Sequence, residues 1–313
     1  EARKLGYLLT VRQAKKEIRD FSPDIIHAHY ASSYGLVAAF ACRRGYYLSV
    51  WGSDIYDFPR KSLAHRLAIM FSLKRAEWIL STSRAMAVES SRYTDKTIDI
   101  TPFGVDMSLF SPEKRLRSAG DGRFVIGTVK ALEAKYGIDV LLKGVAKVFE
   151  LRPDIHLEVR IAGTGSQRQS LESLAANLGL SDCVTWLGFI SQQQAAIEWA
   201  NMDVAVMMSE SESESFGVSS VESQACGTPV IYSDIPGLME TANDCGTGIC
   251  VKRGDINSLA DAIIQLHDDD AMRLRKGEEG REFVKEAFEL NGCFERILAS
   301  YHRNAAFQNG LAS

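Results

Sequence analysis

The chain lacks a cysteine framework, a large surplus of either charge and any long apolar run. Its six cysteines (Cys42, Cys183, Cys226, Cys245, Cys250, Cys293) are scattered without CxxC spacing. That argues against a zinc site or disulfide scaffold and for a reducing, cytoplasmic compartment. No apolar stretch approaches the ~18 residues that a membrane-spanning helix needs. Only 7 prolines occur among 313 residues, with 46% hydrophobic and 24% charged side chains, which excludes collagen-like, fibrous and disordered chains. Aromatic and basic residues do not interleave as on a nucleic-acid surface, so nucleic acid is not an expected partner.

What is present is divided. Residues 1–118 carry 19 Lys and Arg against 12 Asp and Glu, whereas 119–313 carry 17 against 28. The overall charge of −4 therefore conceals a basic half and an acidic half, which suggests two surfaces with different partners. The length also exceeds what one core usually supports, roughly 250–300 residues. Two domains are expected, 1–118 and 119–313, joined by the polar, Gly- and Pro-containing stretch from Pro102 to Gly122.

Each half alternates short apolar runs with helical patterns, which indicates α/β domains with parallel sheets. In the first, strands are expected at Asp24–His27, Tyr47–Trp51, Trp78–Ser81 and Thr97–Ile100. Before them, Arg3 to Phe21 reads as a basic amphipathic helix with Leu5, Leu8, Leu9, Val11 and Ile18 apolar. Glu1 is not an initiator methionine, and the chain is expected to start inside a domain. In the second half, strands are expected at Phe124–Val129, His156–Ala162, Val184–Leu187, Val204–Met207, Val230–Tyr232 and Gly248–Val251. That makes a complete Rossmann-like domain, with ligands at the carboxyl ends of its strands. A terminal helix, about 290–313, is expected to pack back on the first domain.

The richest segment runs Glu214-Ser-Phe216-Gly217-Val218-Ser-Ser-Val-Glu222 and closes with Gly227-Thr-Pro229-Val230. It opens a helix at Gly217, where free N–H groups of the first turn favour an anion. Glu222 lies four residues after Val218, on the same helical face. Glu214 and Glu222 thus flank an anion-binding helix start and can accept hydrogen bonds from sugar hydroxyls. Glu210 and Glu212 read as a solvated acidic loop.

This segment resembles the retaining glycosyltransferases of family 4, of the bacterial surface-polysaccharide type. The likeness extends through PDIIHAHY at 23–30, WGSD at 51–54, FGVDMSLFSP at 103–112, GTVKALEAKYG at 127–137 and AGTG at 162–165. It implies the GT-B fold, two facing Rossmann-like domains, with the first lacking its N-terminal segment here. It also implies transfer of a hexosyl group from a nucleotide-diphosphate sugar to a glycan or lipid-diphosphate-linked acceptor.

By that resemblance Lys130 and Lys135 hold the donor diphosphate. The first of these positions is more often Arg in relatives. Two lysines before a helix start oppose its macrodipole unless an anion lies between them. Glu214 is expected at the transferred sugar and Glu222 at the ribose, with Phe216, Gly217 and Val218 offering backbone N–H groups. Gly163 and Gly165 are expected to line the nucleotide cleft, and Phe189 and Ile190 the base. Read alone, Gly163-Thr-Gly165 lacks the third glycine of a dinucleotide fingerprint, so NAD has little support.

In the first domain His29, Trp51, Gly52 and Asp54 are expected on the acceptor side. His27 and His29 point the same way if their strand continues, and His27 is equally a buried residue satisfied by backbone. Many relatives carry His where Trp51 stands. Asp54 either binds an acceptor hydroxyl or caps a turn. Front-side departure of the diphosphate needs no dedicated base, since the donor phosphate can take the acceptor proton. Neither metal nor separate cofactor is expected, and Asp268-Asp269-Asp270 reads as a solvated turn. The basic face (Arg12, Lys15, Lys16 and Arg19 among others) suits peripheral contact with an anionic membrane. A nucleotide-sugar-binding protein with impaired catalysis is the alternative, because the first strands and a Gly-rich loop are missing.

Overall fold

Short apolar runs separated by amphipathic helices are best buried as parallel strands covered on both faces, and two such sheets form. The computed structural model describes residues 6–310 apart from 8, 44, 118–121, 244 and 245. It divides into one unit of residues 1–103 with 293–313, and a second of residues 104–292. The boundary expected at 118/119 thus falls inside the second unit. Arg115 and Arg117 account for this: both pair with Asp203, at 2.8 and 2.9 Å. The amides of Leu116 and Arg117 also donate to the Asn201 side chain.

In the first unit β1 (His27–His29), β2 (Tyr47–Val50), β3 (Trp78–Ser81) and β4 (Ile98–Ile100) pair in parallel in chain order. The first strand begins later than the expected Asp24. Ser22, at φ 52°, closes the helix Val11–Phe21 in a left-handed turn, and pairing starts only at His27 opposite Tyr47. Of the apolar positions expected in that helix, Leu5 and Leu8 lie outside the described residues, and no residue of Val11–Phe21 is fully buried. The core gathers Leu48, Val50, Ile69, Leu73, Ile79 and Met86. Helices Leu63–Arg75 and Arg84–Ser90 start where the Ser62 and Ser83 hydroxyls accept amide hydrogens from His65 and Met86, the usual serine cap.

The terminal helix Leu290–Gly310 joins this unit from Cys293 onward. Its Ser300 and Arg303 each reach Asp99 at 2.9 Å. The Tyr301 hydroxyl lies 2.6 Å from His27 Nδ1, with its ring edge-on to Tyr47.

The second unit holds β5 (Phe124–Val129), β6 (Leu157–Ala162), β7 (Val184–Gly188), β8 (Val204–Met207), β9 (Val230–Ser233) and β10 (Gly248–Val251). All pair in parallel in the order β10-β9-β8-β5-β6-β7. Every residue of β8 and β9 is buried, as expected for central strands covered on both faces. The order reverses between β5 and β8, which makes the carboxyl ends of those two strands the natural place for a ligand. Among the described residues no helix is long and apolar enough to cross a membrane.

Candidate active site

The switch point is where charge collects. Lys130 follows β5 directly, and its own amide donates to Ala162 O at the end of β6. The chain leaving β8 reaches Glu214. Lys130 Nζ lies 2.9 Å from Glu214 Oε1, with the two side chains only 11% and 9% exposed. An ion pair so withdrawn from water depends on continued pairing, since removal of either partner strands a charge.

Lys135 sits in the short turn Ala134–Tyr136. The ammonium groups of Lys130 and Lys135 each lie 4.8 Å from the centre of the Tyr136 ring. One electron-rich ring within reach of both cations offsets part of their mutual repulsion. Sequence reasoning missed Tyr136, although its place beside Lys135 and before Gly137 was the available signal.

The helix Val218–Ala225 begins after Gly217, whose φ of 75° is one that side-chain-bearing residues rarely adopt. A Cβ there would also stand 2.5 Å from the Leu238 side chain. The Ser219 hydroxyl donates to Val129 O at 2.8 Å and so ties the helix start to the end of β5. Phe216 turns its ring into the core, edge-on to Phe288 at 5.3 Å, while Val218 is 43% exposed. Glu222, in this helix, accepts a 3.4 Å hydrogen bond from the buried Trp199 indole N–H. Burial pushes its carboxyl up to about 6, with the Trp199 hydrogen bond and the Lys130 charge opposing.

Gly163 and Gly165 serve loop packing. A Cβ on Gly163 would stand 1.8 Å from Lys130 O, and one on Gly165 2.3 Å from Leu132 O. Their absence of side chains lets the 163–166 loop lie on the backbone that carries Lys130. The Gly163 amide is committed to Gly188 O at 2.7 Å. Glu133 reinforces the same contact, accepting from both the amide and the hydroxyl of Ser166 at 2.9 and 2.6 Å. These bonds hold its carboxyl below the usual range. Beyond β7, Phe189 is 83% exposed and Ile190 partly so.

The first unit places its expected residues differently. Asp54 is wholly buried, and its carboxylate accepts from the amides of Ala31, Trp51 and Gly52 at 2.7, 3.1 and 2.9 Å. Burial pushes its pKa up and those amides pull it down. The acceptor-binding role considered for Asp54 is therefore corrected: with no exposed surface it clamps the loops after β1 and β2, beyond the turn cap also considered. Gly52 contributes a buried amide to that clamp.

His27 is half-buried between Tyr301 and Ser49 Oγ, the latter 2.8 Å from Nε2. Burial first, then the His29 charge, lower its pKa to about 4. A neutral imidazole thus bridges two hydroxyls, with side chains rather than backbone as partners. His29 is exposed beside it, the two rings stacked at 4.1 Å.

No group of three or more His, Cys, Asp or Glu among the described residues is placed to hold a metal ion. Asp268 pairs with Arg152 and His267, and Asp269 caps the helix Asp270–Phe288.

Residues 112–283, more than half of the chain, match the family described as glycosyl transferases group 1. The chain belongs to that family. Residues 1–83 of this glycosyltransferase-family chain match a second description, glycosyl transferase 4-like. A curated relative, D-inositol 3-phosphate glycosyltransferase of Arthrobacter sp. (strain FB24), is 36% identical over 214 residues, covering 66% of this chain and 50% of its own. The chain thus spans about half the length of that relative. Among solved structures, sucrose-phosphate synthase from Thermosynechococcus elongatus superposes with a TM-score of 0.83 at 24% identity, covering 95% of this chain and 77% of its own. HepE from Anabaena, solved in complex with UDP and glucose, superposes at 0.80 and 19% identity, covering 96% and 83%. These likenesses establish the α/β, GT-B fold with its two parallel sheets.

Proposed function

We propose that this group 1 glycosyltransferase moves a hexosyl group from a nucleotide-diphosphate sugar to a glycan or lipid-diphosphate-linked acceptor, with retention of configuration. The observation that carries the reading is the withdrawn Lys130–Glu214 pair at the reversal between β5 and β8. Donor binding exchanges partners there. The diphosphate takes the Lys130 ammonium, with Lys135 beside it, and Glu214 is released to accept hydrogen bonds from the sugar. Both lysines and the amides opening the helix Val218–Ala225 then stabilise charge as the diphosphate departs. The acceptor attacks the same face and its proton passes to the leaving phosphate. Glu222 serves the ribose hydroxyls, and Phe189 and Ile190 flank the base. The names of the HepE structure with UDP-glucose and of the inositol-phosphate relatives favour a UDP-sugar and, as a second reading of the acceptor, a polyol phosphate.

The test is turnover and donor hydrolysis with UDP-, GDP- and ADP-sugars, with the product anomer read by NMR. Glu214→Gln and Lys135→Ala are expected to lower turnover by about 100-fold or more. Unchanged rates in both variants would sink the site. Failure to bind any nucleotide sugar would sink the function, and an inverted anomer would sink retention. Peripheral membrane contact forms part of the reading through the exposed Arg12, Lys15, Lys16 and Arg19. Flotation with vesicles showing no preference for anionic lipid removes it.

A further inference from the structure

Two neighbouring helices of the first unit, Tyr34–Ala41 and Leu63–Arg75, carry apolar side chains on both sides. Inward, Ala38 and Ala39 of the shorter helix and Ile69 and Leu73 of the longer one join the core. Outward, a surface helix ordinarily presents polar and charged residues. The longer helix instead exposes Leu63, Leu67 and Met70, spaced four and three residues apart and therefore aligned along one side. Leu63 is 71% exposed and Leu67 55%. Phe71, one turn after Leu67, meets Phe40 of the shorter helix with ring centres 5.0 Å apart, and both rings stay exposed. Single exposed apolar residues need no explanation, but a strip that runs across two helices marks a surface that something covers.

The charge that accompanies the strip has one sign. Neither helix contains an Asp or a Glu. Arg66 and Lys74 stand four residues before and four after Met70, on neighbouring turns of its own side, and both are exposed. Lys61 and Arg43, also exposed, flank the two helices in the chain. Protein interfaces anchor mainly on Trp, Tyr and Arg, with Leu under-represented. A helix face of Leu and Phe bordered by Lys and Arg has instead the make-up of one that lies in a bilayer interface. Scattered cations favour the same occupant, because mobile anionic headgroups can meet them at any spacing.

We propose that this face, centred on Leu63, Leu67, Met70, Phe71 and Phe40, inserts into the headgroup–acyl boundary of an anionic bilayer. The apolar side chains enter the acyl edge. The stems of Arg66 and Lys74 lie along the apolar strip while their charged ends reach the lipid phosphates. The two contributions differ in kind. Cations draw the protein to the surface and weaken in salt, whereas apolar burial holds it there and does not depend on charge. The inference rests on the reading of peripheral membrane contact and deepens it. The exposed cations of Val11–Phe21 supply attraction only, and the inserting element lies elsewhere, on these two helices.

Flotation of the chain with phosphatidylcholine vesicles, with and without phosphatidylglycerol, tests it. The wild type is expected to float with the anionic vesicles. The double variant Leu67→Ser, Phe71→Ser should partition about tenfold more weakly. Leu67→Trp, which keeps an apolar side chain, should still float, and lipids brominated near the headgroup should quench its fluorescence beyond that of the wild type. Equal partition of the wild type and the double variant, or no added quenching in Leu67→Trp, overturns the proposal. So does a dimer in solution that the double variant abolishes without any change in flotation, since a second copy would then cover the face. Flotation lost on replacing Arg12, Lys15, Lys16 and Arg19 by Ala, but untouched in the double variant, removes this inference and leaves the membrane reading standing. No flotation of the wild type removes both. UDP-glucose binding, measured on the same samples, is expected to be unchanged in the double variant, which shows that the fold is intact.

Discussion

Asp54 and Glu214 are both buried carboxylates near the carboxyl ends of parallel strands, one in each unit, yet they answer to different partners. Asp54 is satisfied by three backbone amides that cannot leave. Glu214 is satisfied by one lysine side chain that can. A carboxylate saturated by its own fold is a structural fixture, whereas one held by a displaceable cation is available for exchange with a ligand. Burial and charge alone do not tell the two apart; the identity of the donor does.

The largest expected effect breaks this comparison directly. Asp54→Ala leaves three amides, two of them buried, without their acceptor and should cost about 3 kcal/mol or more of stability, read by denaturant unfolding. Glu214→Gln strands the Lys130 ammonium and should also lower stability, but added UDP-sugar, whose diphosphate can take that ammonium, should restore more of it than in Asp54→Ala, while turnover collapses. If nucleotide sugar restores the two variants equally, the distinction between fixture and exchangeable pair fails.

A second measurement sharpens the charged side. Burial raises the Glu222 carboxyl from 4.5 to about 6. The folded value lies above the unfolded one, so the stability of the protonated form is present below 4.5 and is lost as pH rises through about 6. Nucleotide-sugar affinity should run the other way, weakening as pH falls below about 6, because a protonated carboxyl is a poorer acceptor for ribose hydroxyls. Calorimetric titration with a UDP-sugar from pH 5 to 8 (roughly spanning that window) checks this, and Glu222→Gln should flatten the profile.

The smallest effect concerns the neutral side. Tyr301→Phe removes the 2.6 Å hydrogen bond to His27 and should cost about 1 kcal/mol. Faster hydrogen exchange is expected across 293–303, with the charged site unaffected.

The charged site was largely legible in the sequence because its parts are local. Lys130 follows an apolar run, Glu214 precedes a glycine that opens a helix, and each lies within a few residues of the signal that marks it. Asp54 was not legible, since Ala31 comes from a different loop and nothing local distinguishes a clamp from a ligand. Tyr301 bonds His27 across 274 positions, beyond any pattern read along the chain. The shift of β1 reflects an edge strand paired on one side, where the neighbour's register rather than hydropathy sets the start. The misplaced boundary has the same origin: a polar, charged joint looked like a linker, but Arg115 and Arg117 had a buried partner in Asp203.

The docking of Tyr301 has a consequence for synthesis. The first unit draws its last helix from beyond the second, so a ribosome must translate all of 104–292 before that helix exists. At about 5–20 residues per second the wait is roughly 10–40 s. During that interval His27, Tyr47 and Asp99 face water without Tyr301, Ser300 and Arg303, and the emerging second unit can fold first. The unit whose strands are made before the second unit is therefore completed only after it.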